Sequence, residues 1–108
     1  KENMTIAQEE IFGPVLGVLT IRNTEEALKI ASNSKYGLHA SVFTQDINKA
    51  FHIAKNLPCG TVSINTFSEG DIKTPFGGYK QSGSLSRDQG TEALNQYLQT
   101  KTIWISHN

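Results

Sequence analysis

Between residues 15 and 64 the hydrophobic periodicity of the chain switches back and forth between strand-like and helix-like, and that alternation leaves few folds open. Residues 15–21 are a nearly unbroken apolar run, as expected of a strand covered on both faces in a parallel sheet. Asn23 can cap a helix, and Glu26 three residues later completes a capping-box pattern. Ala27, Leu28 and Ala31 supply its apolar stripe before Tyr36-Gly37 closes the segment. Residues 40–44 read as a second strand. Asp46 caps the next helix, whose Ile47, Ala50, Phe51, Ala54 and Leu57 recur at helical spacing until Pro58 stops it. Residues 61–64, rich in β-branched side chains, are a third strand. The order is strand, helix, strand, helix, strand. It implies an α/β fold with a βαβαβ parallel half-sheet and right-handed crossovers.

Residues 65–87 change character, with six Ser or Thr, four Gly and no usable period. A loop this long in a compact domain is functional or disordered. Ala93, Leu94, Tyr97 and Leu98 then suggest a short amphipathic helix. Residues 102–106 alternate, with Ile103 and Ile105 on one face and Trp104 on the other, as an exposed edge strand would.

Composition narrows the function classes. Ten basic and ten acidic residues cancel over 108 residues, which gives no electrostatic reason to expect nucleic acid or an anionic membrane as partner. The lone cysteine, Cys59, cannot form an intramolecular disulfide. No apolar run approaches the roughly 20 residues of a membrane span. The first residues lack the pattern of a signal peptide, and position 1 is Lys rather than Met. The expectation is a cytoplasmic protein, and a fragment of a longer one.

An open parallel sheet binds ligands beyond the carboxyl ends of its strands. The long loop leaves the third strand at that end, so Asn65, Phe67, Glu69, Asp71 and Phe76 are candidates to line a pocket. Without further information Glu69 and Asp71 read more readily as solvated loop charges. Cys59 follows a helix C-terminus, where the dipole disfavours a thiolate, and a small apolar filler is the better reading. The three histidines and one cysteine show no metal-ligand spacing. Gly77-Gly78-Tyr79-Lys80 lacks the spacing of a phosphate-binding loop, and tight turning explains those glycines better. The cluster Glu9-Glu10-Ile11-Phe12-Gly13-Pro14 is either a surface turn or a carboxylate and a ring held out to a polar aromatic ligand. Physical chemistry alone leaves both open.

Taken together, these segments carry a resemblance. Gln8-Glu9-Glu10-Ile11-Phe12-Gly13-Pro14-Val15 is similar to the cofactor-contact motif of the aldehyde dehydrogenase superfamily. Tyr36-Gly37-Leu38, Ser41-Val42-Phe43-Thr44, Gly60-Thr61-Val62, Asn65 and the stretch from Pro75 through Phe76 to Gly83 resemble its later blocks, in order and at family spacing. The resemblance implies NAD(P)-dependent oxidation of an aldehyde to a carboxylic acid. In that family a cysteine thiolate adds to the aldehyde, hydride passes to the nicotinamide, and a glutamate-activated water hydrolyses the thioester. The blocks holding that cysteine, that glutamate and the dinucleotide-binding half lie upstream of this sequence, and Cys59 falls outside the nucleophile motif. No catalytic residue is therefore expected here, and the chain alone should be inactive.

By resemblance, Glu10 is the glutamate that accepts hydrogen bonds from the nicotinamide-ribose hydroxyls, and Phe12 is the ring beside the nicotinamide; the cofactor is NAD or NADP. Phe76 matches an aromatic residue near the aldehyde tunnel, and residues 65–71 match the segment at its mouth. The Thr66-Phe67-Ser68-Glu69-Gly70-Asp71 stretch is similar to that of γ-glutamyl-γ-aminobutyraldehyde dehydrogenases, which suggests an aminoaldehyde substrate. The resemblance divides the chain into a catalytic-domain portion, 1–98, and an oligomerisation strand and tail, 99–108. It implies a homo-oligomer joined through residues 102–106, from Thr102 to Ser106. One departure is visible: Ser82-Gly83-Ser84-Leu85-Ser86-Arg87-Asp88 is one residue longer than the usual pattern and lacks a glycine. Two other classes stay in view, a free-standing oligomerising module and a small nucleotide-binding domain.

Overall fold

The computed structural model describes residues 1–68 and 70–107. Its elements are α1 (Thr5–Gln8), α2 (Thr24–Ser32), β1 (Tyr36–Gly37), β2 (His39–Val42), α3 (Ile47–Asn56), β3 (Thr61–Ile64), β4 (Tyr79–Lys80) and a 3-10 helix (Thr91–Tyr97). β2 and β3 pair in parallel, His39 opposite Thr61 and Val42 opposite Ile64, with α3 as the crossover. β1 and β4 form a separate antiparallel pair. The architecture is α/β with a small parallel sheet.

Both main helices are fixed by local chemistry. The Asn23 side chain accepts a hydrogen bond from the Glu26 backbone N–H at 2.9 Å. The expected return contact of a capping box is replaced: the Glu26 carboxylate accepts instead from the Arg22 backbone and guanidinium. That hydrogen-bonded guanidinium holds Glu26 below its ordinary carboxylate range. Asp46 Oδ1 accepts from the N–H groups of Asn48 and Lys49 and so caps α3. At the other end Leu57 is extended, as a residue before proline must be. Replacing Asp46 with Ala should cost about 1 kcal/mol. The urea midpoint of the full-length protein reads this, and an unchanged midpoint would mean the cap adds nothing to α3.

α2 and α3 lie together, and the core among the described residues is small: Leu28 from α2, Ala50 from α3 and Leu57, with Ala50 fully buried. The chain is long for its mass, 72 × 32 × 24 Å with a radius of gyration of 18.7 Å. A self-contained domain of this length would measure about 13 Å.

Four sequence expectations change. Residues 15–21 form no strand, and Val15, Leu16, Val18, Leu19 and Ile21 are exposed. A strand exists only through a ladder partner, and these residues find none among those described. Residues 102–106 are likewise outside any strand, with Ile103, Trp104 and Ile105 exposed. The amphipathic segment near Ala93 is a 3-10 helix, Thr91–Tyr97, rather than an α-helix. Finally, the long loop contains β4, and the opening loop contains α1, a single turn too short to show a period. No helix among the described residues is long and apolar enough to cross a membrane.

Candidate active-site surface

The acidic turn is held by its flanks. Gln8 Nε2 donates to the carbonyls of Glu2 at 2.7 Å and Asn33 at 3.0 Å, tying the end of α1 to the residue that follows α2. Glu9 caps α1 in an extended conformation. Glu10 then lies on the wall of a groove of about 490 Å³, opposite Tyr36, Gly37, Leu38, His39 and Cys59. Its carboxylate is exposed and has no hydrogen-bond partner among the described residues. Two residues on, Phe12 sits at φ 52° with its ring 92% exposed. Left-handed backbone at a bulky residue is a true outlier that tends to mark functional sites. A ring placed there, with no packing to reward it, is presented outward.

Asn65 also has positive φ, 55°. Its side chain continues the parallel pair as a strand would. Nδ2 donates to the Thr44 carbonyl at 2.9 Å, Oδ1 accepts from the Thr44 N–H at 2.8 Å, and the Asn65 N–H donates to the Val42 carbonyl. Both ends of the amide are thus engaged in fixing where the loop departs. Phe67, 78% exposed, meets the His39 ring edge to face with centroids 5.3 Å apart. Asp71 folds a tight turn in which Oδ1 accepts from the Lys73 N–H. Phe76 is half-buried and bridges Asp88 through two backbone hydrogen bonds of 2.7 Å. Glu69 lies outside the described residues. No hydrogen bond joins Glu10 or Phe12 to Asn65, Phe67, Asp71 or Phe76.

The glycines act as contact points for backbone. Gly60 lies against the Gly77 carbonyl and Gly37 against the Pro58 carbonyl, each with no room for a Cβ. The Gly37 N–H donates to Ser82 Oγ and the Gln81 N–H to the Lys35 carbonyl, which knits the segment after Phe76 onto β1. Lys80 Nζ donates to the Ser32 and Ser34 carbonyls, both at 2.8 Å, and so closes the C-terminal end of α2. Burial pushes the Cys59 thiol up, and the nearby Lys80 charge offsets only part of that. Burial joins the helix dipole as a reason for Cys59 to stay a thiol. On both counts Cys59 is a poor nucleophile. Among the described residues no group of His, Cys, Asp and Glu could hold a metal ion.

The aldehyde dehydrogenase family profile matches residues 1–103. The chain belongs to the aldehyde dehydrogenase family. It is 46% identical over 104 residues to the NADP/NAD-dependent aldehyde dehydrogenase PuuC of Escherichia coli, covering 96% of this chain and 21% of that protein. It is 49% identical over 105 residues to the mitochondrial aldehyde dehydrogenase of Mesocricetus auratus, covering 97% of this chain and 21% of the relative. The structure superposes with a TM-score of 0.91 on the indole-3-acetaldehyde dehydrogenase of P. syringae solved with NAD+, at 47% identity over 99% of this chain and 21% of the other. The chain therefore spans about a fifth of the length of these aldehyde dehydrogenases.

Three residues that organise this surface were missed from sequence: His39, Ser63 and Lys80. Once the β2–β3 register is known, period-two alternation puts His39 and Ser63 on one face. Nothing local announces the Lys80 contact, which spans 48 residues to Ser32.

Proposed function

We propose that this chain is the part of an NAD(P)-dependent aldehyde dehydrogenase that holds the nicotinamide-ribose and shapes the mouth of the aldehyde channel. The observation that carries the reading is the turn after α1, where an exposed carboxylate with no partner among the described residues, Glu10, and a ring in left-handed backbone, Phe12, are both held out from the fold. These residues fit the cofactor. A carboxylate offers two acceptor oxygens to two adjacent ribose hydroxyls, and an exposed ring offers a flat face to a planar heterocycle. When bound, the nicotinamide supplies the two-electron acceptor of the oxidation. The role of Glu10 and Phe12 is to orient, a contribution of proximity rather than of bond-making. None of the 108 residues serves as nucleophile in this reading, and the chain by itself is inactive. Spectrophotometry of the full-length enzyme with an aldehyde and NAD+ tests it; no aldehyde-dependent NADH formation would end it.

The substrate half of the reading rests on the loop after β3. Asn65 sets its departure, Phe67 and Phe76 supply aromatic wall, and Asp71, with Glu69 two residues earlier in the sequence, supplies negative charge. Such a mouth favours an aldehyde with a distal ammonium group. The aromatic-acidic composition of residues 66–71 supports this choice. In the full-length enzyme the Glu69→Gln, Asp71→Asn double variant should lose roughly twofold to fivefold in kcat/KM for an aminoaldehyde, on the order of one surface-exposed charge contact. It should leave an alkyl aldehyde of equal length unchanged. Equal losses for both substrates would remove the charge argument. Residues 99–108, with Ile103, Trp104 and Ile105 exposed, fit an oligomerisation strand whose ladder partner is a second subunit.

A further inference from the structure

We infer that His39 is a specificity-determining positioning residue, which sets Phe67 at the channel mouth through Ser63 and Ser68. The inference rests on the proposed aldehyde channel. β2 and β3 pair in parallel with His39 opposite Thr61 and Ser41 opposite Ser63, so His39 and Ser63 are diagonal neighbours on one face of the sheet. His39 Nε2 lies 3.0 Å from Ser63 Oγ, and the Ser63 hydroxyl donates to the Ser68 carbonyl. Ser63 has only one proton to give. With that proton committed to Ser68, the remaining bond requires Nε2–H on His39 as donor. The imidazole orientation is thereby fixed from one side.

The other side of the ring is the anchor. The ring planes of His39 and Phe67 meet at 84°. Phe67 therefore has two restraints, a contact to its ring and a backbone tether one residue later at Ser68. Ser63 is 8% exposed, so its hydroxyl must find partners inside the protein. Together His39 and Ser63 turn the sheet face into a fixed post for the start of the loop beyond Asn65. Phe67 touches the aldehyde in this account, and His39 acts through it.

The test is steady-state kinetics of the full-length enzyme with acetaldehyde and with hexanal. His39→Ala and Ser63→Ala should each raise KM for hexanal roughly fivefold while kcat and the acetaldehyde KM stay within about twofold, since only the longer chain reaches the mouth. The double variant should show no more than the larger single effect, because both act through one network. His39→Gln, whose amide can donate to Ser63 but offers no ring to Phe67, should recover only part of the loss. Additive effects, or equal losses for both aldehydes and no recovery in His39→Gln, would assign His39 a general packing role and overturn the inference. A wild-type enzyme that oxidises neither aldehyde would instead bring down the channel reading itself, and this inference with it.

Discussion

Replacing Glu10 with Gln in the full-length enzyme is expected to lower kcat/KM for the nicotinamide cofactor by roughly 10- to 100-fold. That range corresponds to losing a hydrogen bond to a charged group, about 1.5–3 kcal/mol. The amide keeps the shape and one acceptor oxygen, but it loses the charge and can no longer accept from two hydroxyls through two oxygens. Fold and stability should be untouched, because the Glu10 carboxylate has no partner among the described residues and lies exposed. Phe12→Ala should act on the same step. Its ring is 92% exposed and contributes little packing, and a smaller residue relaxes little of the strain at φ 52°. The signature to seek is a defect in cofactor KM and kcat with a normal melting temperature. A drop in melting temperature that matched the kinetic defect would place these residues in the scaffold instead.

The second large effect is structural. Gly60→Ala should cost on the order of 3 kcal/mol or more and deplete the soluble enzyme. A Cβ at this position runs into the Gly77 carbonyl, and backbone on both sides leaves nothing flexible to move. Gly60 also donates its N–H to the Gly37 carbonyl, so withdrawal of this segment would break the bond that ties β1 to the start of β3. Gly17→Ala is the control. A methyl there would meet the Ile6 carbonyl at an ordinary 3.7 Å, and stability should change by less than about 1 kcal/mol. Chemical denaturation of both variants reads the difference. Similar midpoints for the two would show that the loop from Gly77 can move away from Gly60.

How far the sequence revealed this molecule depends on how local each determinant is. α3 was legible from end to end, because Asp46, the apolar stripe and Pro58 are all within a dozen residues. The parallel pairing of β2 and β3 followed from the helix between them. β4 was not legible, since Tyr79 and Lys80 become a strand only by pairing with Lys80↔Tyr36 and Tyr79↔Gly37, more than 40 residues away. Residues 15–21 read as a buried strand because their side chains are apolar; what makes a strand is a partner ladder, which composition does not encode. Among the site residues, Asn65 was noticed as a loop start, but its double hydrogen bond to the Thr44 backbone required coordinates. Glu10 and Phe12 were ambiguous by physical chemistry and gained a role from the family resemblance. The exposed ring in left-handed backbone is an independent reason to look there. His39 and Ser63 needed the strand register, which no periodicity supplies on its own.

The most direct measurement is calorimetric titration of the full-length enzyme and its Glu10→Gln variant with NAD+ and, separately, with AMP. If the acidic turn holds the nicotinamide-ribose, the variant binds NAD+ at least about tenfold more weakly and AMP with unchanged affinity. Equal NAD+ affinity in the two proteins, or an equal loss for AMP, would contradict the account.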